Sequence, residues 1–143
     1  MRKNLPIILV RVIVGVVFLT EGILKFVYPG ELGAARFAHI GLPFPHILAP
    51  LVGSVEIAAG GALILGFYAG DAALLLLVVI LTAIATTKVP ILLGHPLGRF
   101  APGRLEHYGV LSFIHEARTD LAMLFGLVAI LFDTGMSLRL TKR

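Results

Sequence analysis

The chain has 143 residues, of which 58% are hydrophobic and 14% charged, with a mean hydropathy of +0.99. A water-soluble surface needs about a quarter charged residues, so the sequence reads as integral membrane and as one unit over 1–143, without room for a second domain. The 12 Lys and Arg exceed the 8 Asp and Glu for a net charge of +4, but no basic run of five or more occurs. Nucleic acid is therefore not expected as a partner, and the excess reports orientation and contact with anionic lipid. The absence of Cys excludes dithiol–disulfide exchange by this chain, thiolate-held iron–sulfur clusters and c-type haem attachment.

The first apolar run predicts a helix over Leu5–Phe26, with Asn4 as its cap and Pro6 in its first turn. Arg11, Gly15, Phe18, Gly22 and Lys25 recur at steps of four and three and share one face. Arg11 interrupts the run and no small-x-small cleavage site follows Thr20-Glu21-Gly22, so it reads as a retained span rather than a signal peptide. A short amphipathic helix is expected within Glu31–His39, before the turn Gly41-Leu42-Pro43. The second span is expected over Ile47–Phe67, with Pro50 in its first turn, and the third over Ala72–Val89, capped by Asp71 and limited by Pro90. The short link between them forces an antiparallel hairpin. A long loop, Gly94–Tyr108, precedes the fourth span, Ala117–Phe132. The expected fold class is all-α, a transmembrane four-helix bundle with two longer outer loops, each span near the roughly 20 residues that a bilayer requires.

An even number of spans puts both termini on one side. Arg2, Lys3, Arg139, Lys142 and Arg143 favour the cytoplasm for that side. Glu21, Lys25, Thr86, Thr87, Lys88, His115, Glu116 and Asp120 then gather in the outer half, and an outward-opening polar cavity is expected there.

Three constellations could carry chemistry. Arg11 and Glu56 are expected to differ in depth by roughly 6 Å, within reach of an Arg side chain; the pairing serves helix register or a site. Glu21 and Lys25 stand at i and i+4 as a helix-end pair or as part of the packed stripe. Glu116 and Asp120, beside His115 and Arg118, need a cation from Lys88, Lys25 or Arg118 or a retained proton; they form either a helix cap or a proton-handling site. None of the five His lies in the middle of a predicted span, which argues against bis-His haem, and no tight ligand spacing supports a metal. Nucleotide-binding and serine-hydrolase motifs are absent from the sequence.

Arg11…Gly15…Phe18…Gly22…Lys25-Phe26, Gly41-Leu42-Pro43, Gly53…Glu56…Gly60…Gly66 and His115-Glu116-Ala117-Arg118-Thr119-Asp120 together resemble the DoxX family of small four-helix membrane proteins. Many members end helix four with Gly-x-Gly…Ser-Leu-Asp; here Asp133-Thr134-Gly135-Met136-Ser137-Leu138-Arg139 puts Arg139 at the acid position. The resemblance implies a bacterial cytoplasmic-membrane protein working with redox systems, since founding members are subunits that pass electrons to the quinone pool, including thiosulfate:quinone oxidoreduction. The expectation is a membrane subunit of an oxidoreductase that binds a quinone or similar apolar redox molecule. Lys25, Glu56, Lys88, His115 and Asp120 would act on the ligand, and Arg11, Glu21 and Glu116 would help hold it. The chain has no electron carrier of its own, so a soluble or peripheral redox partner is implied besides the lipid bilayer. The alternative is a non-catalytic scaffold or a carrier for a lipid or small solute. A weaker third reading, a proton-coupled transporter, would require a homo-oligomer.

Overall fold

The computed structural model describes residues 4–141, with side chains described from 4 to 135. Its backbone forms five continuous helical segments, four long ones at the four expected spans and a short one at the expected amphipathic helix. These are α1 (Leu5–Val27), α2 (Ala34–Ile40), α3 (Pro45–Leu65), a segment running Ala69–Leu93, and α6 (Val110–Thr141). The fourth segment is α4 (Ala69–Ala83), a π-helical turn (Ile84–Lys88) and α5 (Val89–Leu93) in line. No strand occurs among the described residues; an isolated bridge between Leu97 and Phe100 closes a turn in the long loop.

Three helices, Leu5–Val27, Pro45–Leu65 and Ala69–Leu93, are long and apolar enough to cross a membrane. Helix α6 has the length, but its uncharged run covers only 121–132 between Asp120 and Asp133. At 1.5 Å per residue that run spans roughly 18 Å, less than the roughly 30 Å hydrocarbon core.

The π turn has a local cause. Pro90 has no N–H to return to the carbonyl four residues back, and its ring would collide with that carbonyl in a regular α-helix. The ladder widens just before it, and Val89 N–H donates to the Ile84 carbonyl instead. The hydroxyls of Thr86 and Thr87 donate to the carbonyls of Thr82 and Ala83, at 2.8 and 2.6 Å. Thus Pro90 does not end the helix at Val89.

At the start of α4, Tyr68 takes the N-cap place with φ 46°, and Asp71 sits inside the first turn, where its charge faces the positive end of the helix dipole. Pro50 lies inside α3 beyond its first turn. Helix α6 extends well past the expected Ala117–Phe132 because Val110–Glu116 continue it without a break.

Helix α1 packs along α3, α3 along α4, α4 along α6, and α6 back against α1, while α2 lies on α3. The α1–α3 contact is antiparallel and tight. A Cβ on Gly15 would stand 2.6 Å from the Gly60 carbonyl oxygen, and one on Gly22 would stand 2.7 Å from that of Gly53. Only residues without a side chain let the two backbones come this close. Val14, Phe18, Leu63, Leu76, Leu127 and Ile130 fill the buried centre among the four long segments.

Candidate functional site

The glycine contacts fix the register between α1 and α3, and the register decides which charges meet. Gly15 faces Gly60 and Gly22 faces Gly53, so Glu56 lies between Leu19 and Gly22 in depth, and Arg11 lies beside the end of α3. The expected Arg11–Glu56 pair therefore does not form. Arg11 Nε donates instead to the Leu63 carbonyl at 3.0 Å, adding a charged donor to an oxygen at the negative end of α3 that also accepts the Gly66 N–H.

The partner of Glu56 is Lys25. Lys25 Nζ stands 2.7 Å from Glu56 Oε2, with the two side chains 11% and 5% exposed. Side chains on a helix lean toward its N-terminus. On antiparallel helices Lys25 and Glu56 lean toward each other and close an axial offset that the Cα positions alone leave open. The contact lies off the hydrogen-bond direction, and Oε2, fully enclosed, has no aligned donor among the described residues. Lys25 Nζ also donates to the Glu21 backbone carbonyl at 3.3 Å. The Glu21 side chain is exposed and makes no ion pair among the described residues, so the expected Glu21–Lys25 pair gives way to a link between helices.

A second pair joins the π turn to α6. Lys88 Nζ stands 3.6 Å from Asp120 Oδ2, with side chains 18% and 23% exposed. Of the cations considered for Asp120, Lys88 is the one that reaches it. Thr86 is buried beside it. The π turn offsets the face of Lys88 from that of a regular helix and is the local irregularity that carries it.

His115 and Glu116 lie elsewhere. They line an open cleft of about 370 Å³ with Leu105, Glu106, His107, Leu111 and Ser112. His115 is exposed and Glu116 half-buried; Arg118 donates through Nη1 to the His115 carbonyl. The expected single outer cluster is thus divided three ways: Lys25–Glu56 between α1 and α3, Lys88–Asp120 between the π turn and α6, and His115 with Glu116 at the cleft. Glu106, His107 and Ser112, none of them singled out in the sequence, belong to that cleft because the loop folds back onto the start of α6. Its return is tied by Tyr108, whose hydroxyl donates to the Gly103 carbonyl at 3.0 Å. No group of three or more His, Asp or Glu able to hold a metal occurs among the described residues. Arg139, at the place of the family's terminal acid, lies outside the described side chains.

Residues 7–89 match the DoxX family. The chain belongs to the DoxX family. That match ends at the π turn and contains Arg11, Lys25, Glu56 and Lys88, so both cations of the ion pairs fall inside it and Asp120 outside. The chain is also 41% identical over 142 residues to an uncharacterized membrane protein, Rv3486, of Mycobacterium tuberculosis, covering 96% of this chain and 82% of that relative. No solved structure matches. As a DoxX protein with three apolar spans the chain is a membrane protein.

Proposed function

We propose that this DoxX protein is the integral membrane subunit of a redox system and binds a quinone or similar apolar redox molecule at its charged pairs. The observation that carries the reading is the Lys25–Glu56 pair, enclosed between two spans with Oε2 lacking an aligned donor. A charge in a span is costly and is kept where it works. An ammonium group beside a carboxylate offers what a quinone headgroup uses: a donor for the carbonyl oxygen and a group that passes a proton. Reduction of a quinone to the quinol takes up two electrons and two protons. In this reading Lys25 and Glu56 handle protons, Lys88 and Asp120 form a second polar contact, and His115 and Glu116 lie toward the water. Electrons come from a soluble or peripheral partner, because the chain has no carrier of its own.

The reading includes a topology. Helix α6 is the fourth span of a four-helix bundle over the whole chain, the termini are cytoplasmic, and the membrane is the cell membrane. Pairing with Lys88 lowers the cost of carrying Asp120 into the bilayer and so lengthens the stretch of α6 that can be embedded.

The test is lipid extraction of the protein purified in mild detergent, followed by quinone assay. About one quinone per chain is expected, and it should fall away in Asp120→Asn or Lys25→Met chains that remain folded. No quinone, together with unchanged redox activity in those variants, would overturn the reading.

A second reading has its own support. The glycine contacts between α1 and α3 and the seating of Arg11 on the Leu63 carbonyl are packing devices, as expected of a scaffold or a small-molecule or lipid carrier whose ion pairs only set register. Full function in a chain with both charges of one pair replaced by apolar residues would favour it.

A further inference from the structure

Arg11 is left with an unused fork. Its Nε is fixed on the Leu63 carbonyl, yet no carboxylate lies within ion-pair distance and no acceptor meets its two terminal nitrogens among the described residues. The guanidinium lies against Gly66, where a Cβ would stand 2.5 Å from Nη2. A side chain there would push the fork away, so the glycine that ends α3 also makes room for it. Immediately after Gly66, Phe67 and Tyr68 stand 64% and 68% exposed. Their rings meet edge to face at a centroid distance of 4.5 Å. Tyr at the end of a span is a residue of the membrane interface, where its ring and hydroxyl are both accommodated. Arg11, the seventh residue of an apolar helix, thus lies against the end of α3 from which this aromatic pair follows.

We propose that Arg11, Gly66 and the Phe67–Tyr68 ring pair form a binding site for the phosphodiester of an anionic phospholipid on the N-terminal side of the membrane. A guanidinium with two free parallel N–H edges matches a phosphate in the bidentate way that a lysine cannot. The anchored Nε sets the plane of the fork in advance, and the aromatic pair offers a surface for the upper acyl chain and glycerol. The site is separate from the Lys25–Glu56 pair, since Arg11 lies fourteen residues earlier on α1, roughly 21 Å along the axis.

The chain contains no Trp, so Phe67→Trp introduces a single tryptophan at the site, excited selectively over the three Tyr. The protein carrying it is placed in phosphatidylcholine bilayers containing a small fraction of brominated phosphatidylglycerol, and quenching is compared with brominated phosphatidylcholine. Enrichment of the anionic lipid beside Trp by about threefold to fivefold is expected, the scale of one basic residue at an anionic surface. Arg11→Gln should remove it and Arg11→Lys should retain only part. A Phe44→Trp reporter at the other end of α3 should show no dependence on Arg11. Equal quenching by the two lipids with Arg11 intact overturns the proposal without recourse to any Arg11 variant, and so does enrichment that survives Arg11→Gln or responds to Arg11 at both reporters. Inorganic phosphate that fails to displace the lipid supports the headgroup as ligand; displacement at millimolar phosphate would assign the site to the free anion and overturn the lipid assignment.

Discussion

Lys25 and Glu56 meet at 2.7 Å between two spans that approach each other through glycine. The close approach and the ion pair depend on one another. With side chains at Gly22 and Gly53 the helices would stand too far apart for the ammonium to reach the carboxylate, and without the pair a buried charge would face the glycine contact alone. Removing one partner of an enclosed pair costs about 3–5 kcal/mol, whereas replacing both by apolar groups is often neutral. Glu56→Gln and Lys25→Met should each lower the thermal midpoint in detergent strongly. A Lys25→Met, Glu56→Leu chain should recover most of the loss.

Glycines at the contact and glycines away from it should behave oppositely. Gly22→Ala and Gly60→Ala place a methyl group against opposing backbone, which cannot move aside as a side chain can. Overpacking of this kind costs about 1–3 kcal/mol. Gly61 has nothing within 4 Å of an added Cβ, so Gly61→Ala should leave stability unchanged or raise it by up to about 1 kcal/mol through helix propensity. Midpoints of these single variants in one detergent give the comparison.

The second ion pair should matter less to stability than the first. Lys88 and Asp120 are 3.6 Å apart and several times more exposed than Glu56. A longer, partly solvated pair contributes about 0–1 kcal/mol. Asp120→Asn is expected to lower the midpoint less than Glu56→Gln does, and a larger loss would show that Asp120 is more deeply enclosed in the bilayer than in the isolated chain.

Replacement of Pro90 tests the cause of the π turn. With an N–H restored by Pro90→Ala, the ladder can close as a regular α-helix, which rotates Lys88 relative to α6. The pair with Asp120 should weaken. A double-mutant cycle between Lys88→Met and Asp120→Asn should show smaller coupling in the Pro90→Ala background than in the parent chain.

Much of this was legible in the sequence because the same residues carry both signals. Gly15, Gly22, Gly53 and Gly60 announce a helix pair by spacing alone, and the spans they belong to begin and end within a few residues of expectation. Register was not legible. Arg11 and Glu56 are each the conspicuous charge of their span, but which charges meet depends on the offset between helices, and that offset is fixed by three-dimensional contact between glycines. Lys25 looked local, four residues after Glu21, until a facing helix supplied a better-enclosed carboxylate. The ends of α6 were missed for a related reason. His115 and Glu116 read as lying just before a helix that starts at Ala117, whereas they are themselves helical in a segment that starts at Val110, and Asp120, inside the expected span, is covered by Lys88. The cleft around His107 and His115 depends on a loop returning to a helix, and such a return leaves no periodic mark.

Charge reversal across the first pair separates a ligand site from a packing device most directly. In a chain carrying Lys25→Glu together with Glu56→Lys, attraction is kept and the positions of ammonium and carboxylate are exchanged. Bound quinone per folded chain is measured beside the thermal midpoint. The account predicts a midpoint close to that of the parent and a quinone content well below it. A swapped chain that keeps the parent's quinone content, or a folded parent that carries no quinone at all, would contradict it.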